Sequence, residues 1–240
     1  MLITDASTIK QHAAQHFQQY AIPSAAPPSM NDRWFNQYTP KMYIRDEWYQ
    51  SVMASPTWDE WKTTIQSLPN DKACEPSKLH NKFYKHAGPQ VAQLTWKLAK
   101  MCFQLAIIPD EWKQAHIYPI PKPMEWQCDI TKTRPLTLLD TLRKVVMKII
   151  TNRFSKIMAK HCVLHGNNFA GLPGGSTEIP IKLMNMIIED VKEHNKPIWI
   201  LLQDLSKAYD RVNLVILQKA MERVKIPTTC INFILDFFTS

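Results

Sequence analysis

The first hundred residues alternate apolar and polar positions with the period of short helices. Apolar side chains recur every three or four positions over residues 2–20 and 90–106, which predicts a helix in each range. Thr57 and Glu60 form a capping box, in which the two side chains satisfy free backbone amides at a helix start. A helix is therefore predicted to begin after Thr57. The other predicted elements here are a short helix over 43–54, a helix after Ser77 and a proline-rich linker over 21–40.

The pattern changes at Pro109, where short runs of β-forming residues appear. Residues 115–121 and 134–138 are predicted as strands, with a loop over 122–133 between them. Asp140 is placed to cap a long helix over 141–160, because an aspartate before an apolar helical pattern is a common N-cap. Three more helices are predicted: from Ser176 or Thr177 to about 194, from Asn213 to about 225, and after Pro227.

The most informative apolar run is residues 198–202, Ile-Trp-Ile-Leu-Leu, which leads through Gln203 into Asp204. This pattern predicts a buried strand with a carboxylate at its C-terminal end. From the spacing of Asp204 and Asp210 alone, turn or helix-cap aspartates after a core strand are the more frequent explanation. The surrounding sequence is needed to decide between the two.

Charge and cysteine content narrow the class of protein. The 240 residues carry a formal net charge of +8, which favours a polyanionic partner such as nucleic acid or an acidic membrane surface. The five cysteines are dispersed and include no C-x-x-C pair, which argues against a secreted disulfide framework. No apolar run approaches the roughly 18 residues of a membrane span. We therefore expect a soluble, intracellular protein that does not bind membranes.

Three ordered motifs and one further upstream segment resemble those of reverse transcriptases of the non-LTR (LINE-type) retrotransposons. The run 204–210, Asp-Leu-Ser-Lys-Ala-Tyr-Asp, resembles the first catalytic motif of that family. Residues 112–123 and 133–145 resemble its two fingers motifs, and residues 68–77 resemble the basic turn before the fingers. The resemblance covers residues from about 56 to 240. It implies a mixed, helix-rich α/β fold, with the fingers and an incomplete palm of a right-hand polymerase behind a helical N-terminal extension.

The resemblance also divides the chain into three parts. Residues 1–55 would be a helical N-terminal segment with a proline-rich linker, and residues 56–108 a helical extension before the fingers. Residues 109–240 would be the reverse transcriptase fingers and the first part of the palm.

The implied activity is RNA-directed DNA synthesis by two-metal nucleotidyl transfer, with Mg²⁺ or Mn²⁺, an RNA template, a DNA primer and deoxynucleoside triphosphates (dNTPs). Asp204 would be the first metal-binding, catalytic aspartate, and Leu205 would place its backbone beside the nucleotide. Tyr209 would stack under the sugar and exclude a ribose 2′-hydroxyl. Lys122 and Arg134 would hold the triphosphate, since a guanidinium pairs with phosphate oxygens in two places. The family also implies a nuclear location.

Two further segments are candidates for nucleic-acid contact. The predicted helix 141–160 contains no acid, and its apolar positions leave a basic face that a phosphate backbone would neutralise. An ordinary solvated face explains the charge alone equally well. The glycine-rich turn 169–177 resembles a segment that touches template or primer, through backbone amides free to hold phosphate. The candidate contacts are Arg143, Lys144, Lys148, Arg153, Gly174 and Ser176.

The sequence departs from the family pattern at several positions. Cys74 and Glu75 stand where a proline-glycine pair is usual, and Leu172 and Gly175 stand where basic residues are frequent. The family also pairs its first aspartate with an Asp-Asp motif on a neighbouring hairpin, and no Asp-Asp pair occurs in these 240 residues. Because one carboxylate cannot organise two metals, we expect the chain alone to be catalytically incomplete.

Two other functions remain open. One is a non-catalytic nucleic-acid-binding remnant of a reverse transcriptase, which the departures from the family pattern favour. The other is a helical interaction module, which rests on the tryptophans of the first hundred residues, namely Trp48, Trp58, Trp61 and Trp96.

Overall fold

The computed structural model describes residues 3–21, 32–73, 76–164, 169, 175–205, 208–209 and 212–238. The helices in these ranges are α1 (Ala6–Ala21), α2 (Asp32–Tyr38), α3 (Trp58–Gln66), α4 (Asn81–His86), α5 (Pro89–Leu105), α6 (Thr141–Lys160), α7 (Glu178–Glu193), α8 (Leu214–Arg223) and α9 (Thr228–Asp236). The strands are β1 (Ala115–Pro121) and β2 (Thr133–Leu139). The described part is thus mixed and helix-rich, as the sequence predicts.

Polar side chains fix the starts of several helices where the sequence places them. The Thr57 hydroxyl accepts a hydrogen bond from the Glu60 amide at 3.2 Å, at the start of α3. One carboxylate oxygen of Asp140 accepts from the Leu142 amide at 2.8 Å, at the start of α6. The Asn213 side chain accepts from two backbone amides at the start of α8. Each bond satisfies a backbone donor that has no partner within the first helical turn.

Other helix predictions are wrong in detail. Part of the predicted linker 21–40 is helical, since α2 lies within it. Ser77 does not cap the next helix, because Lys78 has a φ of 60°, a left-handed conformation that ends any helical path there. α4 begins only after His80. The predicted helix over 43–54 is reduced to a 3₁₀ helix at Asp46–Tyr49.

The two strands form an antiparallel hairpin. Their register pairs Ala115 with Leu139 at one end and Pro121 with Thr133 at the other. The loop between them contains a short 3₁₀ helix at Ile130–Lys132. This hairpin is the sheet found in the described residues.

The chain divides into two units, Met1–Ile150 with Tyr209–Ser240, and Thr151–Ala208. α6 continues from the first unit into the second. This division does not test the three sequence-predicted parts, which stay predictions. Among the described helices, none combines the length and apolarity that crossing a membrane requires.

The core of the first unit joins segments that are distant in sequence. Phe103 of α5 contacts Phe233 of α9 with ring centroids 5.7 Å apart, and Phe233 contacts Phe237 at 5.4 Å. One Asp236 carboxylate oxygen accepts from the Ile108 amide at 3.0 Å, and the other from the Lys113 amine at 2.8 Å. α9 is therefore anchored to the segment that leads into β1.

The second unit contains the C-terminal half of α6, then α7 and the segment that ends at Asp204 and Leu205. The strand predicted at 198–204 is absent: residues 196–205 have no regular structure, and Trp199 and Leu202 are 95% and 86% exposed. A strand needs a neighbouring strand for its amides and carbonyls. Within the described residues the two strands pair only with each other, so this segment has no such neighbour.

Candidate functional site

Asp204, the predicted first metal ligand, lies exposed in the irregular segment of the second unit. Leu205 beside it is also exposed. Among the described residues, no three His, Cys, Asp or Glu side chains come close enough together to hold a metal ion. The described carboxylates therefore do not form a two-metal centre by themselves, because such a centre needs several acidic ligands around both ions.

Tyr209 belongs to the first unit and lies in a turn. Its carbonyl accepts a hydrogen bond from the Val212 amide at 3.3 Å, and its side chain is 93% exposed. An aromatic ring this exposed is accessible to a ligand.

Lys122 and Arg134 lie together on the hairpin. Arg134 is opposite Ile120 in the register, and the Lys122 amide donates to the Lys132 carbonyl at 2.9 Å, which continues the ladder by one residue. Lys122 follows the last residue of β1 and Arg134 is the second residue of β2, so both lie at the loop end of the hairpin. Arg134 is exposed and Lys122 half-buried, with its amine 3.3 Å from the Thr131 carbonyl. The structure therefore places these two predicted phosphate ligands at the same end of the hairpin.

The apolar positions of α6 are buried as predicted, but Arg143 is buried with them. Its side chain is 7% exposed. Its guanidinium donates to the Trp112 carbonyl at 2.9 Å and to the Phe237 carbonyl at 2.8 Å, and lies 5.5 Å from the Phe237 ring centroid. Burial lowers the pKa of this guanidinium below its ordinary value. The prediction that Arg143 lies on an outer basic face is wrong, because its donors are used inside the fold.

The other basic residues of α6 remain at the surface to different degrees. Lys144 and Lys148 are half-buried in the first unit, and the Lys148 amine lies 3.4 Å from the Ser67 carbonyl. Arg153 is half-buried in the second unit. The basic surface of α6 in the first unit therefore consists of Lys144 and Lys148.

The glycine-rich turn is described only in part. Gly174 lies outside the described residues, as do Leu172, Cys74 and Glu75. Ser176 is half-buried, and its hydroxyl accepts from the Glu178 amide at 3.1 Å at the start of α7. This hydroxyl therefore helps to begin α7.

A feature not predicted from the sequence is a basic pocket between the segment at 70–73 and α4. Its volume is about 870 Å³. The side chains that give it its character are Lys72, Lys78, His80, Lys82, Phe83 and His86. The enrichment of lysine and histidine between residues 72 and 86 was the available signal, but only the folded chain shows that these side chains surround one cavity.

Comparisons with known proteins agree with the motif resemblance. A family model described as reverse transcriptase (RNA-dependent DNA polymerase) matches residues 120–240, half of the chain. The chain is 27% identical over 157 residues to the probable RNA-directed DNA polymerase from transposon BS of Drosophila melanogaster, covering 64% of this chain and 17% of the relative.

Two further relatives give longer matches. The chain is 26% identical over 173 residues to the RNA-directed DNA polymerase from mobile element jockey of Drosophila melanogaster, covering 71% of this chain and 19% of the relative. It is 21% identical over 211 residues to the transposon TX1 uncharacterized 149 kDa protein of Xenopus laevis, and this match covers 88% of this chain and 16% of the relative. The chain spans less than a fifth of the length of each of these curated relatives.

Proposed function

Because the chain belongs to the reverse transcriptase family of the non-LTR retrotransposons, we propose that it carries the template- and nucleotide-binding part of an RNA-directed DNA polymerase. The observation that carries the proposal is the family match over 120–240, which includes Lys122, Arg134, Asp204 and Tyr209. The proposed partners are an RNA template, a DNA primer and dNTPs. In right-hand terms, residues 109–240 would be the fingers and part of the palm. We also propose a nuclear location, which the resemblance to the family implies.

Lys122 and Arg134 are proposed to hold the dNTP triphosphate. Their positions at the same end of the hairpin support this role. Arg134 contributes a planar guanidinium fork that can bond to two phosphate oxygens, and Lys122 contributes a more compact charge.

Asp204, Leu205 and Tyr209 are proposed to lie at the reacting end of the nucleotide. Asp204 offers carboxylate oxygens, which suit Mg²⁺ or Mn²⁺. Leu205 would place its backbone beside the nucleotide, and the exposed ring of Tyr209 would pack under the sugar, where it leaves no room for a 2′-hydroxyl. Since no three potential metal ligands come together among the described residues and no Asp-Asp pair occurs in the sequence, we propose that residues 1–240 alone bind nucleic acid and nucleotide without extending a primer.

Lys144, Lys148, Arg153, Ser176 and Gly174 are proposed to contact the template-primer. Lys144 and Lys148 are the strongest of these, because they lie one turn apart on α6 and no acidic residue occurs on that helix. Arg143 is left out, because its guanidinium is already bonded to buried carbonyls.

A second candidate function is nucleic-acid binding without catalysis. The observation that favours it is the state of Asp204, which lies on an irregular, exposed segment and not at a rigid strand end. Both functions predict binding, and they differ in whether Asp204 matters.

The test measures binding of a labelled RNA–DNA template-primer by the full 240-residue chain over a salt series, with dNTP incorporation assayed in the same samples. We expect binding that weakens as salt rises and no incorporation. The double variant Lys144→Gln/Lys148→Gln should bind about tenfold more weakly, with a salt slope smaller by about 1–2. Lys62→Gln/Lys97→Gln removes the same charge from α3 and α5 and serves as the matched control.

The possible outcomes separate the proposals. Incorporation that Asp204→Asn abolishes would show that the chain is a complete enzyme and that the expectation of incompleteness is wrong. Binding unaffected by Asp204→Asn, together with no effect of Mg²⁺ on nucleotide affinity, would favour binding without catalysis. No binding at low salt would contradict both functions.

A further inference from the structure

We propose that the basic pocket binds one nucleotide unit of a single strand, a phosphate on its lysines and an unstacked base on Phe83. The proposal rests on the proposed function, because it adds a contact for the same nucleic-acid partner. The pocket lies outside the motifs at 112–123, 133–145 and 204–210, and its wall at residues 70–73 belongs to the segment 68–77 that resembles the family's basic turn before the fingers.

The charge of the pocket selects an anion. Among the described residues, three lysines and one aspartate, Asp71, line it, which gives these residues a formal charge of +2 with neutral histidines. In the described part of the chain, no ion pair joins Lys72, Lys78 or Lys82 to a carboxylate. Three ammonium groups around one cavity repel each other, so an anion such as a phosphodiester is favoured between them.

The apolar side of the pocket selects a flat ring. Phe83 is 46% exposed and lines the cavity together with the exposed Leu79. Tyr84 is buried and contacts the Phe83 ring edge-on, with centroids 5.3 Å apart. Phe83 is therefore held at the pocket, where it offers a surface for stacking. Bases of single strands stack on such aromatic side chains, and the volume of about 870 Å³ is in the range of ligand sites.

Hydrogen bonds between distant segments hold the pocket walls. The Asn81 amide group donates to the Pro69 carbonyl at 2.8 Å, and the Lys85 amine donates to the Asn70 side-chain oxygen at 2.7 Å. The buried Thr141 hydroxyl lies 3.1 Å from the Leu79 carbonyl and 3.2 Å from the Asn81 side-chain oxygen. The start of α6 is thus tied to the wall that carries Lys78 and Phe83.

The pocket also adjoins the basic surface of α6. The Lys148 amine lies 3.4 Å from the carbonyl of Ser67, three residues before the pocket begins at Asn70. A nucleic-acid strand bound along Lys144 and Lys148 can therefore continue towards the pocket. This continuity favours a nucleic-acid strand as the ligand. An acidic peptide is less favoured, because it has no base to stack on Phe83.

The experiment measures fluorescence anisotropy of a labelled 20-nucleotide single strand with the full chain over a salt series. Lys72→Gln/Lys82→Gln should bind about tenfold more weakly, with a salt slope smaller by about 1.4, since each phosphate contact on a single strand contributes about 0.7. Phe83→Leu should lower the affinity for the single strand about fivefold, because the stacking surface is lost. The salt slope should be unchanged, because the substitution removes no charge. Lys62→Gln/Lys97→Gln is again the control, and circular dichroism checks that each variant is folded.

Three competitors identify the ligand. An abasic strand should bind wild type and Phe83→Leu equally, since it has no base to stack. Adenosine monophosphate should fail to displace the strand at the same nucleotide concentration, and so should polyglutamate at the same charge concentration. Displacement by the mononucleotide would overturn the proposal in favour of a free nucleotide, and displacement by polyglutamate in favour of an acidic peptide.

The remaining outcomes separate this proposal from the one on which it rests. If the wild type binds and Lys72→Gln/Lys82→Gln behaves like the control, the pocket proposal is wrong and the proposed function stands. If the wild type does not bind single or double strands at low salt, the proposed function fails and the pocket proposal fails with it.

Discussion

Arg143 shows how one residue type takes opposite roles on one helix. Val146 and Ile150 follow it at helical spacings of three and seven, and both are buried, so Arg143 lies on the same stripe. The buried guanidinium is tolerated there because the carbonyls of Trp112 and Phe237 accept hydrogen bonds from it. Lys144, one position later on the helix, lies beside that buried stripe and is half-buried. A basic residue on an apolar stripe is therefore better interpreted as a buried donor than as a phosphate contact.

This interpretation predicts a difference in stability between two neighbouring variants. Arg143→Met should lower the free energy of unfolding by about 2–4 kcal/mol, because it leaves two carbonyls without their charged donor in the core. Lys144→Met, the control, should change it by less than about 0.5 kcal/mol. Urea denaturation followed by circular dichroism measures both. Equal effects of the two substitutions would contradict the buried role of Arg143.

At the scale of the element, local signals determine some segments and distant partners determine others. The starts of α3, α6 and α8 follow from a side chain and an amide two or three residues apart, so the sequence alone specifies them. The apolar run 198–202 has the composition of a strand, but a strand also requires a backbone neighbour. Its state therefore depends on which other segments are present.

Hydrogen exchange provides the test at this scale. Amides of residues 199–204 should exchange at rates typical of an unstructured chain, while those of the buried stretch 145–150 of α6 should be strongly protected. β1 serves as an internal reference, because it has similar apolar content and a paired neighbour. Protection at 199–204 equal to that of paired amides in β1 would mean that the predicted strand forms after all.

At the scale of the molecule, two buried thiols report on the core that joins α5 to α9. Cys102 and Cys230 are buried, and burial raises the pKa of the Cys102 thiol to about 11 and that of Cys230 to about 12. Cys128 and Cys162 are exposed. The thiolate is the form of cysteine that reacts with alkylating agents. Native Cys102 and Cys230 should therefore resist alkylation, because the reagent cannot reach them and because their raised pKa values keep them protonated.

Alkylation at about pH 8 in increasing urea should modify Cys128 and Cys162 in the native state. Cys102 and Cys230 should be modified only on unfolding and with one shared midpoint, because they lie in the same core. Peptide mass spectrometry identifies each site. Separate midpoints for Cys102 and Cys230 would show that α5 and α9 do not unfold together.

The same thiols give stability a pH dependence of known sign. Their folded pKa values lie above the unfolded one, so their contribution is complete below the unfolded pKa and declines as pH rises through the folded values. Above about pH 9 each of the two thiols should lower the free energy of unfolding by at most about 1.4 kcal/mol per pH unit, because it ionises in the unfolded chain before it does in the folded one. The double variant Cys102→Ala/Cys230→Ala should show a shallower decline. An equal decline in both proteins would assign the effect to other groups.

By itself, the sequence determined what depends on neighbours within a few positions. These features include the capped helix starts, the two strands of the hairpin and the order of motifs that identifies the family, because short-range geometry and local chemistry specify them. Lys122 and Arg134 could be named in advance, but only the pairing of the two strands places them at the same end of the hairpin. The tertiary structure decided the burial of Arg143, the irregular state of 196–205 and the convergence of Lys72, Lys82 and Phe83 on one pocket. The burial of Arg143 depends on carbonyls of distant segments, the state of 196–205 on the lack of a strand to pair with among the described residues, and the pocket on hydrogen bonds that hold residues 69–70 against α4. None of these leaves a periodic signal in the segments concerned.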